Sequence, residues 1–408
     1  VSSFKTLDDF DVKDKTVLVR IDVNSPLDRN TKALKDHSKI ASSVPTLKEL
    51  SDKGAKVVIL AHQGRRGHWD YCELDKHAEV LSSLLGKRVK YVDDLFGSQA
   101  KKAISSLKSG ELLLLKNVRC FEDEDKKMSP EQHAKGKLVS ELAGLFDLFV
   151  NDAFASAHRS HASIVGFAAV LPSAAGRLMQ KEIESLSRIV ESPERPCVFV
   201  FGGTKFVDSI PIVEHLLASS IADRVILGGL VGLAYSAAIG KNIGQANLKM
   251  LEHELTADHV GSARKILERF GDRIALPLDV ALDQDGTRVE MVLDHDPPVH
   301  PSLDIGSKSI DCFSKILAEA RTILISGPVG VFEREEFAKG TKAIFESSVS
   351  HGAFCVIGGG HTTAAANQFS YAKKISYIST GGGALEHFLL GKPLPAIEAL
   401  KSAARRMN

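Results

Sequence analysis

Ala353-Phe354-Cys355-Val356-Ile357-Gly358-Gly359-Gly360 carries a short apolar run straight into three glycines, and Ile375-Ser376-Tyr377-Ile378 leads through Ser379-Thr380 to Gly381-Gly382-Gly383. Each apolar run reads as a buried strand. A strand ending in consecutive glycines lets backbone N–H groups face an anion with no Cβ in the way, and a helix that starts there adds its positive end. A tight turn also uses glycine, so one triplet alone decides little. Two of them after similar strands point to a nucleotide-phosphate site on an α/β fold.

Runs of the same kind recur over 16–23, 56–61, 111–115, 147–150, 197–201, 224–227 and 322–325. Most are continuously apolar, the signature of strands buried on both faces, and segments of helical period separate them, so the sheets are expected to be parallel and wrapped by helices. One helix is expected from Ser129-Pro130-Glu131-Gln132, a capping box with proline in the first turn, its stripe formed by Ala134, Leu138, Leu142 and Leu145. A second, after Pro172 and before Pro193, carries Met179, Ile183, Leu186 and Val190 on one face. It divides the chain almost in half. With 408 residues and 44% hydrophobic content, two cores of similar size are expected. The fold class is therefore α/β, with two Rossmann-like parallel-sheet domains, 1–172 and 193–392, joined by an interdomain helix over 173–192. Such a protein is expected to hold its ligands in a hinge-closing cleft at the carboxyl ends of the strands.

Lys plus Arg (52) nearly cancels Asp plus Glu (51), which argues against a generic nucleic-acid binder. The five cysteines are far apart with no C-x-x-C pair, so neither a disulfide framework nor a cysteine zinc site is indicated, and a reducing cytoplasm fits best. The first residues are charged with no apolar segment of a signal peptide, and no apolar run approaches the roughly 20 residues of a membrane span. A cytoplasmic protein without membrane or nucleic-acid partners is expected, either a monomer or a homodimer.

The strand ends should carry the chemistry. In the first half they offer Arg20, Asp22 and Asn24; His62, Gln63, Gly64 and Arg65; Lys116-Asn117-Val118-Arg119; and Asn151-Asp152-Ala153-Phe154 leading into His158-Arg159-Ser160-His161. In a parallel sheet Arg65, Arg119 and Arg159 would face one way, and guanidinium groups grip phosphate and carboxylate through paired hydrogen bonds. Taken singly each is as well explained as a solvated charge or ion-pair partner. His158 and His161 lack a third ligand at recognisable spacing, so zinc is not indicated. In the second half Gly202-Gly203-Thr204-Lys205 follows a strand, with Lys205 a point charge for phosphate. Asp208 is a candidate either for capping a helix with Pro211 in its first turn or for holding Mg²⁺. Gly228-Gly229 would admit a flat base, and Glu333, past Gly327-Pro328-Val329-Gly330, would accept a ribose hydroxyl.

Absences narrow the choice. There is no G-x-x-x-x-G-K-[ST], no G-x-G-x-x-G after the first strand and no protein-kinase signature, which disfavours P-loop enzymes and nicotinamide-dependent dehydrogenases. A two-lobed binding protein for an anionic metabolite would explain the arginines but not the glycine sites of the second half. Direct phosphoryl transfer between an anion lobe and a nucleotide lobe accounts for both.

With these residues in place the chain resembles the phosphoglycerate kinase family, archaeal branch, from end to end. The match is carried by Val19 to Pro26, Ala61 to Arg65, Asn117 to Arg119, Asn151 to Phe154, His158 to His161, Gly202 to Lys205, Gly327 to Glu333, Gly358 to His361 and Ser379 to Gly383. The resemblance implies reversible phosphoryl transfer between 1,3-bisphosphoglycerate and ADP, giving 3-phosphoglycerate and ATP, with Mg²⁺ accompanying the nucleotide. It implies a 3-phosphoglycerate site of Asp22, Val23, Asn24, Lys39, His62, Gln63, Gly64, Arg65, Arg119 and Arg159, and a nucleotide site of Gly203, Lys205, Gly228, Gly229, Glu333, Gly358, Gly359, Gly360, His361 and Thr362. Lys39, Arg159, Lys205, Gly381, Gly382 and Gly383 are the implied catalytic residues, Asp208 the candidate metal carboxylate, and 393–408 the tail that returns to the first domain. The chain departs from the family's pattern at Lys39, usually arginine, at Ser326, usually asparagine, and at His361, often a magnesium-binding aspartate. Lys39 keeps the charge but loses the planar fork.

Overall fold

The apolar runs become strands because a segment with few polar side chains satisfies its backbone only in a ladder and its side chains only between layers. In the computed structural model, which describes residues 3–294 and 296–407, Val17, Val19, Val57, Ile59, Leu114 and Val150 are fully enclosed in one core. Each such side chain contributes roughly 1.5–3 kcal/mol relative to exposure. Val1, Ser2 and Asn408, the outer limits expected for the first domain and the returning tail, lie outside the described residues.

The chain divides into two compact units, Val1–Glu184 with Pro393–Asn408, and Ser185–Lys392. The first is built on a six-stranded sheet of β1 (Thr16–Arg20), β2 (Lys56–Leu60), β3 (Val89–Tyr91), β4 (Leu112–Leu114), β5 (Leu148–Asn151) and β6 (Ser173–Ala175). Its order is β3-β4-β2-β1-β5-β6, and every pair is parallel. The second unit contains β7 (Cys197–Phe201), β8 (Arg224–Leu227), β9 (Ile274–Ala275), β10 (Asp279–Gln284), β11 (Thr287–Val292), β12 (Ser302–Ile305), β13 (Thr322–Ser326), β14 (Phe354–Gly358) and β15 (Tyr377–Ser379). A six-stranded parallel sheet of order β15-β14-β13-β7-β8-β9 carries its core, and β11-β10-β12 form a separate antiparallel sheet that the apolar runs had not announced. In both parallel sheets the first strand in sequence, β1 or β7, lies inside the sheet with later strands on either side, so the loops that leave it open where the strand order diverges.

Two helices differ from expectation. The Ser129 capping box forms, with the Gln132 N–H donating to Ser129 Oγ and Ser129 N to Gln132 Oε1, but the helix is only Pro130–Ala134. Gly136, extended, separates it from Lys137–Leu142 and breaks the single stripe. The helix expected after Pro172 is Arg177–Val190, because Ser173–Ala175 pair with β5 instead. Its buried residues include Met179, Leu186 and Ile189 rather than Val190. Asp152 receives the Leu178 and Met179 N–H groups at 2.9 and 3.2 Å, satisfying the start of this helix.

The C-terminal helix, Pro395–Met407, lies on the first unit, where Ala396 N donates to Ala157 O at 3.1 Å and Arg406 donates to Ala168 O. Among the described residues no helix is long and apolar enough to cross a membrane.

Candidate active site

The carboxyl ends of β1, β2, β4 and β5 bring together the residues of the first candidate half-site. Arg20, the last residue of β1, is buried, and its guanidinium touches Ser163 Oγ at 2.8 Å, His62 Nδ1 at 3.0 Å and the Ile21 carbonyl. Asp22 accepts from Asn24 N at 2.9 Å and Ser156 Oγ at 3.2 Å. Burial opposes its ionisation, but the charges of Lys39 and Arg20 and the Asn24 N–H hold its carboxyl below the usual range. Burial keeps His62 well below the ordinary histidine value; Asp22 opposes this, and Arg20 and Arg119 reinforce it.

The turn after β2 is built from backbone. Gly64, at φ +65°, donates its N–H to Asn24 Oδ1 at 2.8 Å, and a Cβ there would stand 2.2 Å from the Asp70 carbonyl oxygen. Only glycine fits. Gln63, expected at the substrate, spends its amide instead on Ser25 N and O, the Asp70 carbonyl and His77 Nε2. It braces the loop, leaving its backbone beside the site. Asn117 does the same between strands, donating to Gln63 O and Cys72 O and accepting from Arg119 N.

Around this frame stand the basic side chains. Arg119 is buried and donates to Gly64 O at 3.2 Å, while its Nε has no partner. Burial and the neighbouring Arg159 depress its pKa, Glu124 opposing, and it remains cationic. Arg65 is exposed, Lys39 and Arg159 are half-buried, and among the described residues the Lys39 and Arg159 side chains have no hydrogen-bond partner. His161 is pushed down to about 3 by burial and then by Arg119, Arg159 and Arg20, so it is neutral. Glu124, which the acidic run Glu122–Asp125 hides, is fully buried behind these cations. Packing several guanidinium groups around one cup with a donor left open costs Coulomb energy that a bound anion recovers.

The second half-site lies at the ends of β7, β8, β13, β14 and β15. Gly203 N donates to Pro328 O at 2.7 Å and Gly327 N to Thr362 Oγ1 at 2.8 Å, locking three of these loops together and engaging the Thr362 hydroxyl. A cavity of about 230 Å³ between Gly203, Gly229, Leu230, Leu233, Met250, Val329, Glu333 and His361 is apolar on its walls. It meets a second of about 480 Å³, lined by Gly203, Lys205, Asp208, Gly359, Gly360, Thr362, Gly382, Gly383 and Glu386. An apolar slot continuous with a glycine-lined pocket suits a base and its phosphates. Gly359, at φ +92°, caps the helix Gly360–Gln368, and its neighbour Gly360 faces open space, so the amides there are approachable. Gly358, by contrast, is buried against Leu385, and Gly381 is buried, so each triplet exposes only part of its length.

Asp208 is not a helix cap, because the helix begins at Phe206, with Pro211 inside it. Its carboxylate lies 3.8 Å from Lys205 Nζ, and Glu386, which sequence reasoning missed, lies 3.2 Å from the same ammonium. These mostly exposed contacts raise the Lys205 pKa, Glu386 contributing most. Among the described residues no group of three or more His, Cys, Asp or Glu could hold a metal ion. Below the slot, Asp304 receives Arg288 at 2.8 Å and Gly340 N at 2.9 Å, tying the antiparallel sheet to the helix Lys339–Val349.

A sequence model described as phosphoglycerate kinase matches residues 7–392. The chain belongs to the phosphoglycerate kinase family. Phosphoglycerate kinase of Methanothermobacter thermautotrophicus is 44% identical over 98% of this chain and 97% of its own. That of Methanobacterium bryantii is 45% identical over 97% of each. The crystal structure of phosphoglycerate kinase from Pyrococcus horikoshii superposes with a TM-score of 0.90 at 40% identity, covering 98% of this chain and all of that one. The archaeal-like affinity expected from the sequence holds, and the chain is a phosphoglycerate kinase by family, an enzyme of glycolysis and gluconeogenesis that moves a phosphoryl group reversibly between 1,3-bisphosphoglycerate and ADP.

Proposed function

We propose that the first unit is the 3-phosphoglycerate-binding domain and the second the nucleotide-binding domain. Arg65, Arg119 and Arg159 grip the phosphate of 3-phosphoglycerate, Asp22 and Asn24 fix its hydroxyl through side chain and backbone with Val23, and His62 donates to its carboxylate end. Gln63 and Gly64 shape the loop that presents Arg65. In the second unit the base enters the apolar slot beside Gly228 and Gly229, Glu333 takes a ribose hydroxyl, and Gly203, Lys205, Gly359, Gly360, His361 and Thr362 surround the phosphates. The observation that carries this reading is the cationic cup of the first unit, whose Arg119 Nε is buried without a partner and whose Arg159 guanidinium has no hydrogen bond among the described residues.

Phosphoryl transfer needs little covalent chemistry from the protein. It needs reacting oxygens held in line and fixed positive charge where negative charge is spread over the transferring group. Lys39 and Arg159 supply that charge from the substrate side, and Lys205 with the amides of Gly382 and Gly383 supply it from the nucleotide side, whereas Gly381 is buried and gives its N–H to Ser379 Oγ at 3.1 Å.

The residues present fit a nucleotide-borne Mg²⁺, which binds through one or two carboxylates and substrate phosphates. Asp208 and Glu386 both line the glycine-lined cavity, their carboxylates 3.8 and 3.2 Å from Lys205 Nζ. When bound, the ion neutralises phosphate charge. The thiols of Cys72, Cys120, Cys197, Cys312 and Cys355 are all free, which supports a cytoplasmic setting.

Calorimetric titration of each substrate tests the division of labour. Arg119→Met should abolish 3-phosphoglycerate binding and spare ATP, while Lys205→Ala and Glu333→Gln should weaken ATP binding and spare 3-phosphoglycerate. Any of the three variants affecting the other substrate instead would refute the assignment.

A further inference from the structure

Behind the anion half-site four polar side chains stand in a buried row whose hydrogen-bond directions are dictated by chemistry. Glu124, Ser163, Arg20 and His62 are 0%, 0%, 1% and 7% exposed. Ser163 N and Oγ approach Glu124 Oε2 and Oε1 at 2.9 and 2.6 Å, Arg20 Nε approaches Ser163 Oγ at 2.8 Å, and Arg20 NH2 approaches His62 Nδ1 at 3.0 Å. A guanidinium has donors and no acceptor. The Ser163 oxygen must therefore accept from Arg20, and its own proton must go to Glu124. At the other end, His62 Nδ1 must accept, so the ring proton resides on Nε2.

We propose that Glu124 and Ser163 are positioning residues that act through Arg20 to present His62 to the substrate as a neutral Nε2–H donor. The proposal rests on the reading of His62 as a substrate-binding residue. Burial raises the Glu124 pKa, the Arg20 charge and the two Ser163 hydrogen bonds oppose that, and as a carboxylate Glu124 balances the buried Arg20 charge while Ser163 fixes the plane of its guanidinium. A protonated His62 would turn an N–H toward the Arg20 NH2 group and is excluded by the same contact. The charged and titratable groups around the ring favour the neutral form on balance. Asp22 after β1 pulls toward protonation, while Arg20 from β1 and Arg119 from the loop after β4 push against it together with burial, and His161 from the segment after β5, itself neutral, brings no opposing charge. The consequence for function is a donor that does not titrate. An ordinary histidine loses its charge near pH 6.5 and would weaken its grip as pH rises through that value, whereas a neutral donor holds the same contact on both sides.

Nitrogen-15 NMR of histidine-labelled protein reads the ring directly, with His62→Gln used for assignment. At neutral pH His62 should show a bare Nδ1 and a protonated Nε2. Ser163→Ala should shift the ring away from that single tautomer and raise the KM for 3-phosphoglycerate about tenfold, the loss of one charge-assisted hydrogen bond, with the KM for ATP unchanged. Ser163→Thr, which restores the hydroxyl, should recover both signals, a rescue that a merely structural role does not require. A proton on Nδ1 or an imidazolium in the wild-type protein overturns the proposal without a variant having to fold, as does a Ser163→Ala protein with tautomer and KM intact. If the tautomer is as stated but His62→Gln leaves the 3-phosphoglycerate Kd unchanged, the substrate contact itself is refuted, and with it the functional half of the proposal.

Discussion

Replacing Arg159 with alanine separates binding chemistry from folding. The guanidinium has no hydrogen-bond partner among the described residues, and it repels Arg119 and Arg20. Removing it breaks no internal contact of that kind and relieves like-charge repulsion, so the unfolding free energy should stay within about 0.5 kcal/mol of wild type or rise. What is lost lies in the substrate complex. Two charge-assisted hydrogen bonds to a phosphoryl oxygen pair are worth about 1.5–3 kcal/mol each. At 1.4 kcal/mol per decade, kcat/KM for 3-phosphoglycerate should fall by about 10² to 10⁴. The assay is ADP formation from ATP, Mg²⁺ and 3-phosphoglycerate by a coupled enzyme, run beside urea unfolding of the same protein. Near-normal turnover, or a loss of activity matched by a loss of stability, would refute the reasoning.

Lys39→Ala should lower kcat about tenfold or more while Lys39→Arg keeps or raises it; if neither changes kcat, measured under saturating substrates, Lys39 stands outside the transfer site. Gly64→Ala should cost about 2–4 kcal/mol in chemical denaturation, since its Cβ meets a carbonyl 2.2 Å away at a φ of +65°, and an unchanged midpoint would contradict that packing. Asp152 is raised to about 7, chiefly by burial, although two amides of the helix Arg177–Val190 donate to it. Because the folded chain holds this proton more tightly than the unfolded one, its contribution falls as pH rises from the ordinary aspartate value to about 7 and stays low above it. Asp152→Asn should accordingly gain on the order of 1–3 kcal/mol over wild type at pH 8, an advantage that shrinks toward pH 4; equal slopes of stability against pH would exclude this.

Much of the fold was legible because its strands are buried on both faces. Val17 to Val19, Val57 to Leu60 and Cys197 to Phe201 contain almost no alternative to a parallel core. The antiparallel strands escaped notice for the converse reason. Thr287–Val292 is mostly exposed, with only Arg288 and Met291 half-buried, and carries Arg288 and Glu290, so it reads as a polar loop until Arg288 is seen clamped to Asp304. At the candidate site, strand ends and glycines were visible as such, but the division between ligand-facing and bracing residues was not. Gln63 sits in the motif, yet its amide is consumed by Ser25, Asp70 and His77. Glu124, lost among exposed acids, is the buried counterion of Arg20. Sequence spacing says which residues share a strand end, whereas which of them are already satisfied depends on partners from distant segments.

The central claim is that a cationic cup in one unit and a glycine-lined nucleotide pocket in the other make one phosphoglycerate kinase. The most direct measurement is ADP release by the purified protein with Mg-ATP, with and without 3-phosphoglycerate. ADP should form only when 3-phosphoglycerate is present, in step with 1,3-bisphosphoglycerate; ADP release that ignores 3-phosphoglycerate, or none with both substrates bound, would contradict it.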